Sequence, residues 1–153
     1  YDRKLGSIPN YYQSILMQTP LRPWLGLNEA KLRLFALSKL SDIPNIADPK
    51  FTFVHLVMPH PPYLFDSKGN TLDLSSTMHE HKSEKHQYIE QLQFLNNKLE
   101  MIVNTIINSS HNQPIIIIQA DHGSEISLEN FKAGEPTLAQ IKERFSIFNA
   151  YYG

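Results

Sequence analysis

Apolar residues recur along this chain in two rhythms, one typical of helices and the other of buried strands. The clearest helical rhythm spans residues 84–110, where apolar side chains return every three or four positions, among them Leu92, Leu95, Leu99 and Ile106. A shorter helical pattern covers residues 29–41, with Asn28 as the predicted N-cap residue. The pattern therefore predicts a long helix over 84–110, buried along its apolar stripe, and a short helix over 29–41.

Three continuous apolar runs predict strands. They cover residues 51–58, 114–120 and 145–151 and are rich in β-branched and aromatic side chains. The second run holds four consecutive isoleucines without alternation, which is typical of a strand covered on both faces in a parallel sheet. A third helix is expected to begin near Pro136. Strand, helix, strand, helix, strand predicts an α/β fold with a mainly parallel sheet, flanking helices and right-handed crossovers.

Two segments follow neither rhythm. Residues 1–27 carry three prolines and are predicted to form an irregular surface wrap. Residues 59–83 are rich in Pro, Gly, Ser, Asp and His, which predicts a long loop of the kind that is usually functional or mobile. The length of 153 residues suits one domain, with a wrap and helix over 1–50 and an α/β core over 51–153.

Composition narrows the classes of function. Fourteen basic and fifteen acidic residues give a formal charge of -1, which argues against a nucleic-acid partner and a polybasic membrane patch. The absence of cysteine excludes disulfides and thiolate metal sites and leaves the redox compartment open. No apolar run approaches the roughly 20 residues of a transmembrane helix. Because the chain begins at Tyr1 rather than Met, we expect it to be a piece of a longer protein.

The end of the 114–120 run carries the most specific chemistry. Asp121, His122 and Gly123 follow it directly, and ligands in open α/β sheets bind beyond the carboxyl ends of the strands. A carboxylate and an imidazole suit a divalent cation, and glycine lets the backbone turn sharply or approach a ligand. The alternative is that Asp121 caps the next helix and His122 is merely polar.

The first predicted strand ends in a similar way, at His60 within a frame of prolines. If residues 51–58 and 114–120 are parallel neighbours, His60, Asp121 and His122 meet at one rim of the sheet. There His60 could donate a hydrogen bond to a substrate oxyanion or pass a proton to a leaving group. The alternative is a loop histidine whose ring lies in water.

Other histidines carry weaker signals. His55 lies inside the first predicted strand, and the pleat places it on the face opposite His60, so we expect a buried, hydrogen-bonded histidine there. The residues His79, Glu80 and His81 have nominal metal spacing together with His86, but a polar loop of this kind is better interpreted as solvated. The chain has no Gly-rich phosphate loop and no Gly-x-Ser-x-Gly elbow, which argues against hydride transfer and serine hydrolysis.

Together these stretches resemble a known family. The His-Pro-x-Tyr pattern at residues 60–63, the helix around 88–96 and the Asp-His-Gly strand at 114–123 occur in the same order in sulfatase-like proteins of the alkaline phosphatase superfamily. Phe65, Asp66, Gly69 and Asn70 extend the first stretch, and residues 145–152 resemble the strand that follows. The resemblance covers roughly residues 51–152, and the ordered combination is more specific than any single motif.

The resemblance implies a function. The superfamily includes sulfatases, lipoteichoic acid synthases and phosphoethanolamine transferases, so this chain is expected to be the C-terminal part of a metal-dependent hydrolase or phosphoryl-group transferase with a partial alkaline phosphatase-like fold. Asp121 and His122 then bind a divalent metal such as manganese, zinc, calcium or magnesium. His60 lies beside the substrate's phosphoryl or sulfuryl group, and His55 has a counterpart in the phosphoethanolamine transferases. The implied location is the extracytoplasmic domain of a membrane-anchored bacterial protein, with a cytoplasmic location left open.

Two departures from the family's pattern set the expected activity. The family's nucleophile and acidic metal ligand come from an N-terminal half that would precede Tyr1, and no histidine follows His122 to supply a further ligand. Two ligands hold a metal weakly, and no covalent enzyme intermediate forms without an activated nucleophile, so the isolated chain is expected to be inactive. Expected partners are a phosphate or sulfate ester, the N-terminal half of the same protein and a second copy at an exposed sheet edge. The alternative function is a non-catalytic binding or scaffold module.

Overall fold

The computed structural model describes residues 29–47, 49–72, 83–124, 126 and 135–153. Over those residues the chain is a mixture of helices and a small sheet. The elements are α1 (Glu29–Leu40), a 3₁₀ turn (Ile43–Asn45), α2 (Glu84–Ser109), β1 (Ile116–Gln119), α3 (Leu138–Phe145) and β2 (Asn149–Tyr152).

Helix α2 confirms the prediction made from the long apolar rhythm. It begins after Ser83, whose hydroxyl oxygen accepts a hydrogen bond from the His86 N–H at 3.3 Å and so satisfies one of the free donors of the first turn. Leu95 and Ile102 of the apolar stripe are buried, whereas Leu99 and Ile106 are partly buried. Among the described residues, no helix has both the length and the apolar character that crossing a bilayer requires.

Helix α1 is also confirmed, within one residue of the predicted end, while its predicted cap Asn28 lies outside the described residues. The core lies between α1, α2 and the loop that precedes α2, because apolar side chains from all three pack together. The buried members are Ala30 and Leu37 of α1, Met58, Leu64 and Phe65 of the loop, and Phe94, Leu95 and Ile102 of α2. This packing removes part of the apolar surface of both helices from water.

The first part of the predicted loop is held against α2. Tyr63 donates a hydrogen bond from its hydroxyl to Glu84 Oε1 at 3.2 Å and meets the Tyr88 ring edge-on, with 6.5 Å between ring centroids. Two residues on, the Phe65 ring lies 4.7 Å from the ring of Phe94. Residues 59–72 are therefore an ordered part of the core region, and residues 73–82 of the same loop lie outside the described residues.

The tight turn at residues 66–70 is organised by Asp66. Its carboxylate accepts hydrogen bonds from the backbone N–H groups of Lys68 and Asn70, at 2.9 and 2.8 Å. Burial acts to raise the pKa of the Asp66 carboxyl, but the donors from Asn70, Lys68 and Gly69 outweigh it and lower the pKa below its usual value. Gly69 has a φ of 87°, and a β-carbon there would lie 2.7 Å from the Phe94 ring, so the turn needs glycine on both grounds.

The sheet differs from the predicted one. β1 pairs antiparallel with β2, from Ile116 opposite Tyr152 to Gln119 opposite Asn149, and the residues described contain no other strand. The mainly parallel sheet is therefore not supported. What is confirmed is a mixture of α-helices and β-strands. Antiparallel pairing needs no crossover connection, and α3 lies between the two strands in the chain.

The predicted buried strand at residues 51–58 is wrong. These residues are neither helix nor strand, and Phe51 and Phe53 are 92% and 81% exposed. A β-branched and aromatic run forms a strand only where a neighbouring strand accepts its backbone hydrogen bonds and another layer covers it. Among the described residues no backbone hydrogen bond reaches this run, which explains why composition alone misled the prediction.

The sheet is also more exposed than predicted. Ile116 and Ile118 of β1 are partly buried, but Ile115 and Ile117 are 81% and 60% exposed, so the expectation of cover on both faces is wrong. The third predicted strand is real but shorter than 145–151, because α3 continues through Phe145. α3 itself begins two residues after Pro136, where Thr137 and Gln140 form a reciprocal capping box.

Candidate functional site

The residues with the most specific sequence signal lie together at the end of β1. Asp121 and His122 follow Ala120, whose N–H donates to the Phe148 carbonyl oxygen at 2.9 Å and prolongs the sheet by one pairing. The Asp121 carboxylate is 83% exposed, and its Oδ1 accepts from the backbone N–H of His122 at 3.0 Å. The other oxygen, Oδ2, lies 3.6 Å from His122 Nε2, so the carboxylate and the imidazole converge on one point.

Helix α3 closes onto this turn from the other side. The Gly123 N–H donates to the Arg144 carbonyl oxygen at 2.7 Å, which places the Arg144 guanidinium directly against His122 Nδ1. A guanidinium can only donate and the Gly123 carbonyl oxygen, 2.7 Å from the same Nδ1, can only accept. Nδ1 therefore accepts from Arg144 in the tautomer with the proton on Nε2 and donates to Gly123 in the tautomer with the proton on Nδ1. The turn therefore combines an acid, an imidazole and a permanent cation within one small patch.

This donor set fits part of a metal site. A metal on His122 Nε2 requires the proton to sit on Nδ1 instead, and the Gly123 carbonyl oxygen lies 2.7 Å from Nδ1 in position to accept it. Arg144 also has the Gly123 oxygen within reach at 3.4 Å, so it keeps an acceptor after that change. Asp121 and His122 supply two ligands, and in the part of the chain that the structure describes no group of three metal-binding side chains is assembled.

A cleft adjoins the turn and separates it from the first turns of α2. Its volume is about 380 Å³, and Lys85, Tyr88 and Ile89 of α2 face Ser124, Ile126 and Glu143 across it. The Ser124 hydroxyl donates to the Glu143 carboxylate. Burial raises the pKa of the Tyr88 phenol, and the neighbouring Glu143 carboxylate raises it further. The cleft is thus lined mainly by apolar surface, with a few polar groups among its lining residues.

His60 lies in the loop that is hydrogen-bonded to α2 through Gln91. Its side chain is exposed, and its Nδ1 donates to the Pro61 carbonyl oxygen at 2.7 Å, which leaves Nε2 directed to solvent. No hydrogen bond or ion pair among the described residues joins His60 to Asp121 or His122. The shared rim expected for the three residues assumed a parallel sheet, so the structure does not bring them together by that route.

The histidines with weaker sequence signals fall into three groups. His55 is exposed, so the expectation of a buried, hydrogen-bonded histidine is wrong, because the strand that was to bury it is absent from that segment. His86 lies at the start of α2, 54% exposed, with Nε2 3.5 Å from the Glu90 carboxylate. His79 and His81 lie outside the described residues.

Two residues near these positions were not singled out by the sequence. Arg144 reaches His122 from α3, a contact across 22 positions that no local pattern reveals. Gln91 is fully buried in α2 and binds the loop that carries His60. The signal for Gln91 was present, since it falls on the same helical face as Tyr88 and Leu95 and is polar where the stripe is otherwise apolar.

Substitution of Gly123 by Ala is expected to separate α3 from the Asp-His turn. A β-carbon at this position would overlap the Glu143 carbonyl oxygen and lie 2.9 Å from that of Ser146, and backbone oxygens cannot turn aside as side chains do. We expect the free energy of unfolding to fall by about 1–3 kcal/mol in urea denaturation. Gly153→Ala is the matched control, because its β-carbon would meet only the Ile115 side chain at 3.4 Å. Equal stability of the two variants would contradict the close approach.

No family model, no curated protein and no solved structure matches this chain significantly.

Proposed function

We propose that the chain is part of a sulfatase-like metal-dependent hydrolase or phosphoryl-group transferase that acts on a phosphate or sulfate ester. The observation that carries the proposal is the turn after β1, where the Asp121 carboxylate and His122 Nε2 lie 3.6 Å apart. Adjacent oxygen and nitrogen donors at a strand end suit a borderline divalent cation. The ordered sequence motifs support the same reading.

The proposed roles divide between the two described regions. Asp121 and His122 would hold a divalent cation, and the bound cation would stabilise negative charge on a phosphoryl or sulfuryl oxygen as a Lewis acid. Gly123 would accept the Nδ1 proton of His122 at its carbonyl oxygen, which fixes the imidazole tautomer that a metal needs. His60 would donate from Nε2 to a substrate oxygen when its imidazole is protonated, since Nδ1 already serves Pro61.

The exposed sheet supports a second part of the proposal, in which the sheet pairs with a further strand. β1 and β2 leave large apolar side chains in water, including Ile117, Tyr151 and Tyr152. An apolar strand with a free edge favours pairing with another strand. We propose that in the whole protein this edge pairs with a segment of the N-terminal half, and that the isolated chain self-associates there.

A metal titration tests the proposed site. We expect the melting temperature of the wild-type chain to rise with added MnCl₂ or ZnCl₂, because a ligand that binds only the native state stabilises it. The rise should disappear in Asp121→Asn and His122→Ala, which remove one ligand each. Glu100→Gln and His111→Ala are matched controls, since both residues are exposed and neither belongs to the turn. Differential scanning calorimetry measures all five proteins under the same conditions.

Two outcomes of that titration would contradict the proposal. An equal rise in the wild type and in both turn variants would locate the metal elsewhere in the chain. No rise in the wild type at about 10 mM metal, above the dissociation constants of even weak protein sites, would favour the non-catalytic binding or scaffold module instead.

A further inference from the structure

Gln91 occupies an unusual position in α2. It is 0% exposed and is the one fully buried polar side chain among the described residues, on the same face as the buried Phe94 and Leu95. A buried amide without partners would destabilise the fold, because its hydrogen bonds to water are lost. The hydrogen bonds that Gln91 makes are therefore expected to stabilise the fold.

The Gln91 amide binds three backbone groups of one loop. Its Oε1 accepts from the Leu64 N–H at 2.7 Å, and its Nε2 donates to the carbonyl oxygens of Pro59 and His60, at 3.2 and 3.4 Å. A flipped amide would direct oxygen at two carbonyl oxygens and NH₂ at an N–H, so only one orientation is satisfied. No other side chain of this length offers one acceptor and two donors in that arrangement.

These hydrogen bonds hold the backbone at His60, the residue proposed to contact the substrate. The carbonyl groups before and after the His60 α-carbon, those of Pro59 and His60, are both hydrogen-bonded to Gln91 of α2. Arg33 Nη1 adds a longer contact of 3.5 Å to the His60 oxygen. The imidazole itself is exposed, so the backbone of His60 is fixed while its ring remains open to a ligand.

We infer that Gln91 is the positioning residue of His60: its buried amide fixes the 59–64 loop so that His60 Nε2 is presented to an oxyanion. This inference rests on the proposed function, in which His60 donates to a phosphoryl or sulfuryl oxygen. A donor held in place before the ligand arrives needs no ordering when it binds, and a displacement of about 1 Å weakens such an interaction strongly.

The test measures sulfate binding at His60 by NMR. Titration of the chain with sodium sulfate is followed on the imidazole resonances of His60, which are assigned with the His60→Ala variant. We expect a saturating shift in the wild type and, in Gln91→Met, an apparent dissociation constant at least about tenfold weaker. Gln93→Met is the matched control, because Gln93 is on the exposed side of the same helix, and it should bind sulfate like the wild type.

Gln91→Glu provides a readout that a merely structural role would not change. At neutral pH its carboxylate keeps the acceptor for Leu64 but directs a second oxygen at two carbonyls, whereas the protonated acid regains one donor. The pKa of this buried acid should be raised, so the defect is small at low pH and grows as the pH rises. Sulfate affinity relative to the wild type should therefore recover in Gln91→Glu as the pH falls towards about 4.3, the ordinary value for Glu, but not in Gln91→Met.

The outcomes separate the two ideas. If His60 responds to sulfate equally in the wild type and in Gln91→Met, the role of Gln91 is overturned and the role of His60 stands. If the wild-type His60 does not respond to sulfate, the oxyanion role of His60 is overturned, and this inference falls with it. If Gln91→Met does not fold, recovery of sulfate binding by Gln91→Glu at low pH supports the inference, and its failure to recover there overturns it.

Discussion

Removal of either proposed metal ligand, Asp121 or His122, is expected to lower turnover strongly. In a protein that carries this chain together with the nucleophile implied by the resemblance, Asp121→Ala and His122→Ala should each lower kcat/KM by at least about 100-fold, because loss of a ligand affects metal binding at least as much as loss of a residue that orients one. The measurement is hydrolysis of a chromogenic phosphate or sulfate ester with added manganese or zinc. His111→Ala, an exposed histidine outside the turn, should leave kcat/KM unchanged.

The 153-residue chain alone is expected to show no turnover in the same assay. Among the described residues no group of three metal-binding side chains is assembled, and two proposed ligands without the nucleophile of the missing half are too little for a covalent mechanism. Turnover by this chain that disappears with a chelator would mean that the site is complete within it. Ser124 would then be the first residue to replace, because its hydroxyl donates to the Glu143 carboxylate beside the Asp-His turn.

Truncation of Phe65 is expected to cause the largest loss of stability. Its side chain is 0% exposed and packs on Phe94 within the core cluster, so Phe65→Ala should lower the free energy of unfolding by about 3–5 kcal/mol. The cost combines the lost burial of the ring with the cavity that remains. Urea denaturation followed by circular dichroism measures it, provided that the slope of the transition is unchanged.

Phe53→Ala is the matched control for that prediction. Phe53 is the same residue type, 12 positions earlier and 81% exposed, so its truncation should change stability by less than about 0.5 kcal/mol. Leu95→Ala should lie nearer to Phe65→Ala, at about 2–5 kcal/mol, since Leu95 is buried in the same cluster. A loss below about 1 kcal/mol at both Phe65 and Leu95 would show that this cluster is not the core.

The helices could be predicted from the sequence because their signals are local. The apolar stripe of α2 and its Ser83 cap lie within a few residues of one another, and the stripe remains readable whatever it packs against. Strand 51–58 could not be predicted in this way, since a strand depends on partners elsewhere in the chain. The orientation of β1 against β2 is likewise a long-range property, and an apolar run without alternation fits a parallel and an antiparallel neighbour equally well.

The candidate site likewise has a local part that the sequence could predict and a long-range part that it could not. Asp121 and His122 are adjacent in sequence, so their convergence within one turn follows from local geometry. The contact of His122 with Arg144, and that of His60 with Gln91, each join residues more than 20 positions apart and could be found only in the folded chain. The role of His60 as a partner of the Asp-His turn depended on a parallel sheet, and so it stays a prediction.

The bonds made by Gln91 have a consequence for how freely position 60 can vary. Every group that Gln91 binds in the loop belongs to the main chain, which all amino acids share. An exchange of His60 for Asn, Lys or Tyr therefore leaves the attachment of the loop intact and changes only what is displayed on its surface. Evolution or protein design can therefore change the chemistry at position 60 without changing the residue that holds the loop in place.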